Sequence, residues 1–394
     1  MAALSFESAY QCVLEEVSVP ETLALESVRL LEATGRVLAE DIPADRDYPP
    51  LPRSARDGFA VRSADLPGRL RVIGEVRAGE SFEGALGAGE AVEIMTGAPM
   101  PSGADAVLMV EHAAREGDYI ETTMTLAPNS NFSPAASDTQ AGELVLRRGQ
   151  RLDYARIAMA ATVGRNELRV FRRPRVAILA TGDEVVPVNT QPLPFQVRNS
   201  NVFSLASQVD SAGGDPVILP VAPDDKSALR ELIAHGIESD LLLLSGGVSA
   251  GKYDLVEPVL QEFGARFFFD RVKIQPGQPT VFGVVQGKFF FGLPGNPAST
   301  MVTFLLFASL AVRRLAGEAD VDLPILEGRL TRDFQHKPVL TRFLPAMLRG
   351  NNVTPIDWKG SSDVPALARA NAFFVASADR ERYSAGEHVG VIPR

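Results

Sequence analysis

Leu241-Leu242-Leu243-Leu244-Ser245-Gly246-Gly247-Val248-Ser249-Ala250-Gly251-Lys252-Tyr253-Asp254 is the stretch on which the reading of this fold turns. Four leucines stop abruptly at Ser-Gly-Gly, the pattern of a buried strand whose end bends sharply toward a helix. A second stretch of the same kind follows, Phe289-Phe290-Phe291-Gly292-Leu293-Pro294-Gly295-Asn296-Pro297-Ala298-Ser299. At the carboxyl end of a parallel strand, helix N-termini and free backbone N–H groups converge, and glycine leaves no Cβ in the way of an anion. Two such loops in one segment point to a single pocket for a large phosphorylated ligand.

Working outward, strand candidates 175–180, 216–219, 241–244 and 289–292 alternate with helical stretches 202–212, 226–236, 255–263 and 298–315. That alternation predicts a doubly wound, mainly parallel sheet. Before it, Phe6, Tyr10, Val13, Leu14 and Val17 share one face of a helix capped by Ser5. A second helix is expected through Val28, Leu30 and Leu31, closing at Gly35. After a proline-rich passage (45–53), short β-type runs at 70–75, 91–95 and 106–111 alternate with Gly/Pro turns, as in a small β barrel or sandwich. Helix returns at 153–164, so the β block reads as an insertion. Beyond Asp322 the texture is β again, at 324–331, 343–348, 373–376 and 388–391. The expected fold is multidomain α/β plus β. It comprises a discontinuous helical linker domain (1–43 and 143–172), an inserted β domain (44–142), a doubly wound α/β domain (173–320) and a C-terminal β-barrel domain (321–394).

The bulk numbers narrow the function classes. The 394 residues are 45% hydrophobic and 22% charged, with ample core for several domains. A net charge of −10 repels nucleic acid and anionic membranes, so an anionic ligand is expected to need a local basic cluster. The single cysteine, Cys12, excludes an internal disulfide and a cysteine-rich zinc site. His112, His235, His336 and His388 show no metal-ligand spacing. The amino-terminal residues lack a signal-peptide pattern, and the longest apolar run, 301–312, is shorter than the roughly 20 residues of a membrane span. A cytoplasmic protein is expected.

Gly246-x-x-x-x-Gly251-Lys252 nearly matches a P-loop, but Tyr253 stands where a Mg²⁺-binding Ser or Thr belongs. A tight structural turn or a different anion-binding loop, with Ser245, Ser249, Lys252 and Asp254 crowded together, are the other readings. Thr181-Gly182-Asp183-Glu184 follows the first strand of the same sheet; its acids either cap the next segment or hold Mg²⁺ beside a phosphate. Asn199-Ser200-Asn201 and Asp224-Asp225 are helix-cap signals on the same rim, able also to meet a ligand. No GxGxxG fingerprint is present, against a dinucleotide oxidoreductase. Ser54-Ala55-Arg56-Asp57-Gly58-Phe59-Ala60-Val61, Met95-Thr96-Gly97-Ala98-Pro99 and Pro294-Gly295-Asn296-Pro297 are, taken alone, turn signals.

In this order, these motifs resemble the molybdopterin molybdenumtransferase family, MoeA and the gephyrin E domain, across essentially the whole chain. The resemblance implies a molybdopterin-binding type of α/β domain and a reaction that inserts molybdate into adenylylated molybdopterin and releases AMP. It implies a homodimer whose clefts lie between the α/β domain of one subunit and the β block of the other. By position, Asp57, Thr96 and Asp138 approach from the β block. Glu184, Asp224 and Asp254 line the sheet rim, with Glu184 and Asp254 as Mg²⁺ ligands. Thr181, Gly182, Asp183, Ser245, Gly246, Gly247, Ser249, Lys252, Lys273, Pro294, Gly295, Asn296 and Ser361 bind the substrates. Handover to molybdoenzymes or other cofactor-biosynthesis proteins is implied as well.

The chain also departs from the family pattern. Gln275-Pro276-Gly277-Gln278-Pro279 stands where a Lys-Pro-Gly-Lys-Pro run is common, leaving Lys273 as the nearest cation. Ser133-Pro134-Ala135-Ala136-Ser137 replaces an arginine-rich approach to Asp138. Leu340 and Pro345 replace arginines, although Arg342 lies between them, and Arg56 replaces an apolar residue. Each lost charge-assisted bond costs about 1.5–3 kcal/mol of oxyanion affinity. Three rival readings follow: a non-catalytic paralogue acting as a binding or scaffold protein, a tungstate-preferring variant, and a P-loop NTPase.

Overall fold

A computed structural model describes residues 2–19, 24–247 and 255–394. By internal contacts the chain divides into two compact units, one of residues 1–39, 148–153 and 168–394, the other of residues 40–147 and 154–167.

The larger unit is built on a six-stranded sheet. Its spatial order is Asp215–Ile218, Arg175–Ala180, Leu241–Ser245, Lys288–Leu293, Val281–Val285 and Arg266–Phe269. The first four strands are parallel; Val281–Val285 runs against them, and Arg266–Phe269 pairs antiparallel with it. The leucine run is continuous because both faces of its strand are covered. Leu241 and Leu243 join one core with the helices Phe6–Glu16, Asn201–Ser211 and the 297–315 helix. Leu242 and Leu244 join a second core with Lys226–Ile237 and Val256–Glu262. The two antiparallel strands escape the sequence reading. Val281–Val285 returns into Lys288–Leu293 through Gln286-Gly287, both at positive φ (50° and 76°), a turn geometry that Asn-Gly usually announces.

Ser5 caps the first helix, its hydroxyl accepting from the Ser8 N–H at 3.1 Å, and Phe6 packs edge-on against Phe343 at 5.0 Å. Cys12 lies half-buried beside this core. The helix expected through Val28 and Leu30 is instead a strand, Leu25–Arg29, followed by one 3₁₀ turn, Leu30–Glu32. Leu31 is 92% exposed, so the apolar spacing there marks no buried helical face.

The helix from Pro297 to Leu315 runs 19 residues, so the 301–312 apolar run understates it. It is long and apolar enough to cross a membrane, yet 72% of it is buried inside the protein, as in a core helix. Phe304–Ala308 forms a π turn in its middle. At its far end Glu318 is held by Arg151 (2.9 Å) and Arg313 (2.9 Å), tying residues 148–153 to the helix. Burial raises the Glu318 pKa, but the two guanidiniums outweigh it and leave the carboxyl below its ordinary range.

The C-terminal sheet closes on itself. Thr341–Arg349, Asn352–Pro355, Leu326–Leu330, His388–Pro393 and Ala372–Ala376 form a ring, because the last pairs back onto the first. Ile274–Gln275 adds a short parallel strand to Thr341–Arg342. Leu330, Leu344, Val353, Phe374 and Val391 fill the barrel interior.

The smaller unit carries a six-stranded sheet ordered Ala106–Met109, Gly58–Val61, Glu90–Ile94, Gly68–Val76, Tyr119–Thr122, Ala114–Glu116. Phe59 and Val61 pack on one face and Ala60 on the other. Gly58 permits the strand pairing, since a Cβ there would lie 2.0 Å from the Leu108 carbonyl oxygen.

Candidate active site

Strand order sets where the α/β sheet can hold a ligand. The second parallel strand lies on one side of Arg175–Ala180 and the third on the other, so successive crossovers diverge and leave a crevice at the carboxyl ends. A cleft of ≈ 690 Å³ opens there, lined by Thr181, Gly182, Ser245, Gly246, Gly247, Pro294 and Gly295 among others. Each loop is pinned to its neighbour: the Thr181 N–H donates to the Ser245 carbonyl, Gly182 to Ala222 and Gly246 to Leu293, all at 3.1 Å. Gly247 sits at φ 64°, and a Cβ there would meet Thr181 Oγ1 at 2.8 Å and Val256 at 2.9 Å. The glycine is required both by conformation and by space.

Asn201 fastens the rim. Its Nδ2 donates to Ser245 Oγ (2.9 Å) and the Gly295 carbonyl (2.8 Å), with Thr300 Oγ1 at 3.3 Å. The loops after the third and fourth parallel strands are thereby held by one amide. The Asn199-Ser200-Asn201 cap signal is thus mostly something else: Ser200 makes no side-chain cap bond, and Asn199 accepts only a long 3.4 Å bond from Val202. Asn201 Oδ1 and Thr181 Oγ1 are buried at the cleft without a hydrogen-bond partner among the described residues. Asp225, by contrast, caps its helix as expected, through the Ala228 N–H at 2.9 Å.

Of the remaining expected residues, Glu184, Asp224 and Asn296 line the cleft. Asn296 occupies the cap position of the 297–315 helix, but its side chain makes no cap bond. Asp183 is not among the lining residues; its carboxylate accepts the Asp224 N–H at 3.0 Å and so fixes the neighbouring loop. Ser361 gives its carbonyl to the Ala298 N–H at 2.9 Å, while Ser362 faces the cleft. Lys273 is exposed and not among the lining residues, its backbone bridging Leu4 and Thr341. Ser249, Lys252 and Asp254, and with them the near P-loop, lie outside the described residues.

A basic cluster was expected for an anionic ligand, and the described lining holds one cation, Arg198, against Glu184 and Asp224. Backbone N–H groups, hydroxyls and amides make up the rest, the donor set of a nest rather than a charge clamp. Pro279, from the run that lacks lysines, also reaches the lining. Arg198 and Pro279 were absent from the sequence-based site. The arginine ends a short two-residue strand, Val197–Arg198, that apolar periodicity does not reveal.

In the smaller unit, Asp57 accepts from both the Thr96 N–H (2.7 Å) and the Thr96 hydroxyl (2.8 Å). These two bonds, the backbone one first, hold its fully exposed carboxyl below the ordinary aspartate range. The Thr96 loop is stitched to the strand before Asp57, since Gly97 N–H donates to Ser54 O and Ser54 N–H to Ala98 O. The two turn motifs of this region therefore form one constellation. Asp138 follows a separate stitch, its N–H on the Tyr48 carbonyl at 2.9 Å and its carboxylate taking the Ser137 hydroxyl at 3.1 Å. Among the described residues, no three His, Cys, Asp or Glu side chains gather as a metal cluster.

Comparison with known proteins agrees with this architecture. Residues 4–164 match the MoeA N-terminal region (domain I and II), 177–314 the probable molybdopterin binding domain, and 327–393 the MoeA C-terminal region (domain IV). A molybdopterin molybdenumtransferase of Staphylococcus aureus (strain COL) is 33% identical, over 98% of this chain and 94% of the relative. One from Staphylococcus epidermidis (strain ATCC 12228) is 34% identical, over 93% of this chain and 90% of that one. A molybdopterin biosynthesis MoeA protein from Pyrococcus horikoshii OT3 superposes over 100% of both chains with a TM-score of 0.84 at 29% identity. A second Pyrococcus horikoshii MoeA structure gives 0.75 at 34%, over 100% and 99%. A switch-point cleft floored by Thr181, Ser245-Gly246-Gly247 and Pro294-Gly295, in a chain matching at such length, places this protein in the MoeA family of molybdenum-cofactor biosynthesis.

Proposed function

We propose that this chain is a molybdopterin molybdenumtransferase that converts adenylylated molybdopterin and molybdate into molybdenum cofactor and AMP. The observation that carries the reading is the switch-point cleft with its three pinned loops, in a member of the MoeA family that matches a relative over 94% of that relative's length. The Gly247 and Gly295 backbone, at the ends of the Ser245-Gly246-Gly247 and Pro294-Gly295 loops, binds the phosphate anhydride of the substrate, because glycine presents N–H groups that no side chain screens. Asn201 keeps those loops at a fixed separation. Asp57, preset as a carboxylate by Thr96, acts with Asp138 from the smaller unit. Lys252, Ser249, Lys273 and Ser361 complete the substrate contacts.

Mg²⁺ fits the donor set. This ion is usually held by one or two carboxylates together with water and substrate phosphates, and Glu184 and Asp224 both face the cleft. Glu184 with Asp254 is the proposed pair. When bound, the ion supplies positive charge to the anhydride oxygens. The protein works as a cytoplasmic homodimer and passes its product to a molybdoenzyme or a later biosynthetic protein.

Reconstitution with adenylylated molybdopterin, Mg²⁺ and either molybdate or tungstate tests the reading. AMP release together with activation of a cofactor-free molybdoenzyme is expected. Bound substrate with no AMP release overturns the transferase in favour of a non-catalytic binding protein, and turnover with tungstate alone reassigns the oxyanion. Asp57→Ala is expected to abolish metal insertion with little change in melting temperature; a large drop would make the residue a turn element. Light scattering is expected to report a dimer, and a clean monomer removes the shared cleft.

A further inference from the structure

The C-terminal barrel has a second cavity at its mouth, of ≈ 300 Å³, sharing no lining residue with the α/β cleft. Mouths of closed β-barrels are recurrent ligand sites, and this volume lies at the small end of the range for organic ligands. The interior below is plugged by Leu344, Phe374 and Tyr383, so the cavity is a shallow cup and not a channel.

Alternation along Thr341–Arg349 explains how a cation enters this cup. Phe343 points outward into the α/β core beside Phe6, so Arg342 and Leu344 share the opposite face and both line the cavity. Arg342 is left without a partner. Its Nε is sealed from solvent with no hydrogen bond, and no ion pair engages its guanidinium among the described residues. Neither carboxylate of the cup pairs with Arg342 among the described residues. Arg332 holds Asp357 at 2.5 Å and the Pro355 carbonyl at 2.8 Å, and Asp333 accepts the Ala385 N–H at 2.8 Å. An unmatched, half-buried guanidinium favours an anion, and its fork suits a carboxylate. Phe334, Ile356 and Trp358 supply the apolar part of the wall, with Gln335 beside them. Phe334 is fixed edge-on against Phe374 at 5.2 Å, and Trp358 packs on the barrel core across the same cavity.

We propose that the barrel mouth binds a small organic anion, a carboxylate on a flat apolar body, with Arg342 taking the carboxylate and Phe334 and Trp358 taking the body. This site is independent of the transferase reading.

Trp358 is the one tryptophan of the chain and lines the cup, so its fluorescence responds to an occupant there. The full-length protein is titrated with benzoate, with benzamide and with sulfate. Benzoate is expected to shift the emission saturably, while benzamide, of the same shape without the charge, and sulfate, charged without the body, are at least ten-fold weaker, roughly the worth of one charge-assisted contact. Arg342→Gln is expected to weaken benzoate to the level of benzamide with an unchanged circular dichroism spectrum. An equal response to benzamide overturns the proposal by reducing the cup to an apolar dimple. A sulfate response equal to that of benzoate overturns it in favour of a bare oxyanion site, and the absence of any saturable shift overturns it outright. The first two comparisons use the native protein, so the outcome stands even if the variant fails to fold.

Discussion

The α/β cleft and the barrel mouth solve the same problem, holding something negative, with opposite materials. At the sheet rim the donors are main-chain groups and neutral side chains, and the described lining carries two carboxylates and one arginine. At the barrel mouth the backbone is consumed by the closed ladder, and among the described lining Arg342 is the arginine without an ion pair, Arg332 being held by Asp357. A rim site is therefore a property of loop conformation and fails when a loop shifts. A mouth site is a property of one side chain and fails when that side chain changes.

Gly247→Ala is the sharpest way to break the contrast. Its new methyl must displace Thr181 or Val256, and a misplacement near 1 Å in a reacting site costs on the order of 10²-fold in turnover. AMP release is expected to fall by that amount while benzoate binding at Trp358 is untouched; full activity would show that the rim tolerates side chains. Asn201→Ala comes next. It leaves Ser245 Oγ and the Gly295 carbonyl without their donor, an expected loss of about 1–3 kcal/mol in chemical denaturation together with a raised substrate KM. A stability loss with unchanged KM would make Asn201 a fastener with no bearing on the cleft.

Gln275→Lys with Gln278→Lys restores charge next to Pro279, which reaches the lining. Tighter molybdate binding in calorimetry is expected, by up to about 1.5–3 kcal/mol for each charge-assisted bond formed. Unchanged affinity would mean that the rim needs no added charge. The smallest effect belongs to His336 in the barrel. Burial first, and the Arg342 charge second, lower its pKa from 6.5. The folded state thus prefers the neutral ring, so its stabilising contribution is full above the ordinary imidazole pKa and fades as pH falls below it. Melting temperature is expected to drop on that acid side more steeply for the native protein than for His336→Gln; parallel profiles would assign the acid sensitivity to other groups.

Much of this was legible in the chain because the α/β sheet is buried on both faces. Continuous apolar runs such as 241–244 and 176–180 read as central strands once glycine closes them, and the rim loops follow from the strands. Edges were harder. The antiparallel strands at 266–269 and 281–285 and the short strand 352–355 lacked a familiar turn dipeptide or sufficient length. Leu30 and Leu31 mimicked a helical face although Leu31 lies in solvent. In the site, glycines and acids were readable by type, whereas Asn201 was mistaken mainly for a cap, because a sequence shows that an amide opens a helix and not where the amide reaches. The barrel-mouth arginine was visible only as a residue between two missing arginines.

The π turn at Phe304–Ala308 has a consequence for how this chain can change over generations. One extra residue is absorbed within the helix itself, so the faces before and after it are set about 100° apart from where an uninterrupted α-helix would put them. Deleting a single residue anywhere between Asn296 and Glu318 would straighten the turn and rotate one end against the other. The helix reaches the cleft at one end and the Arg151–Glu318–Arg313 tie at the other. Length variation among descendants should therefore be excluded from this segment and collect in the surface loops, where an added or lost residue turns nothing.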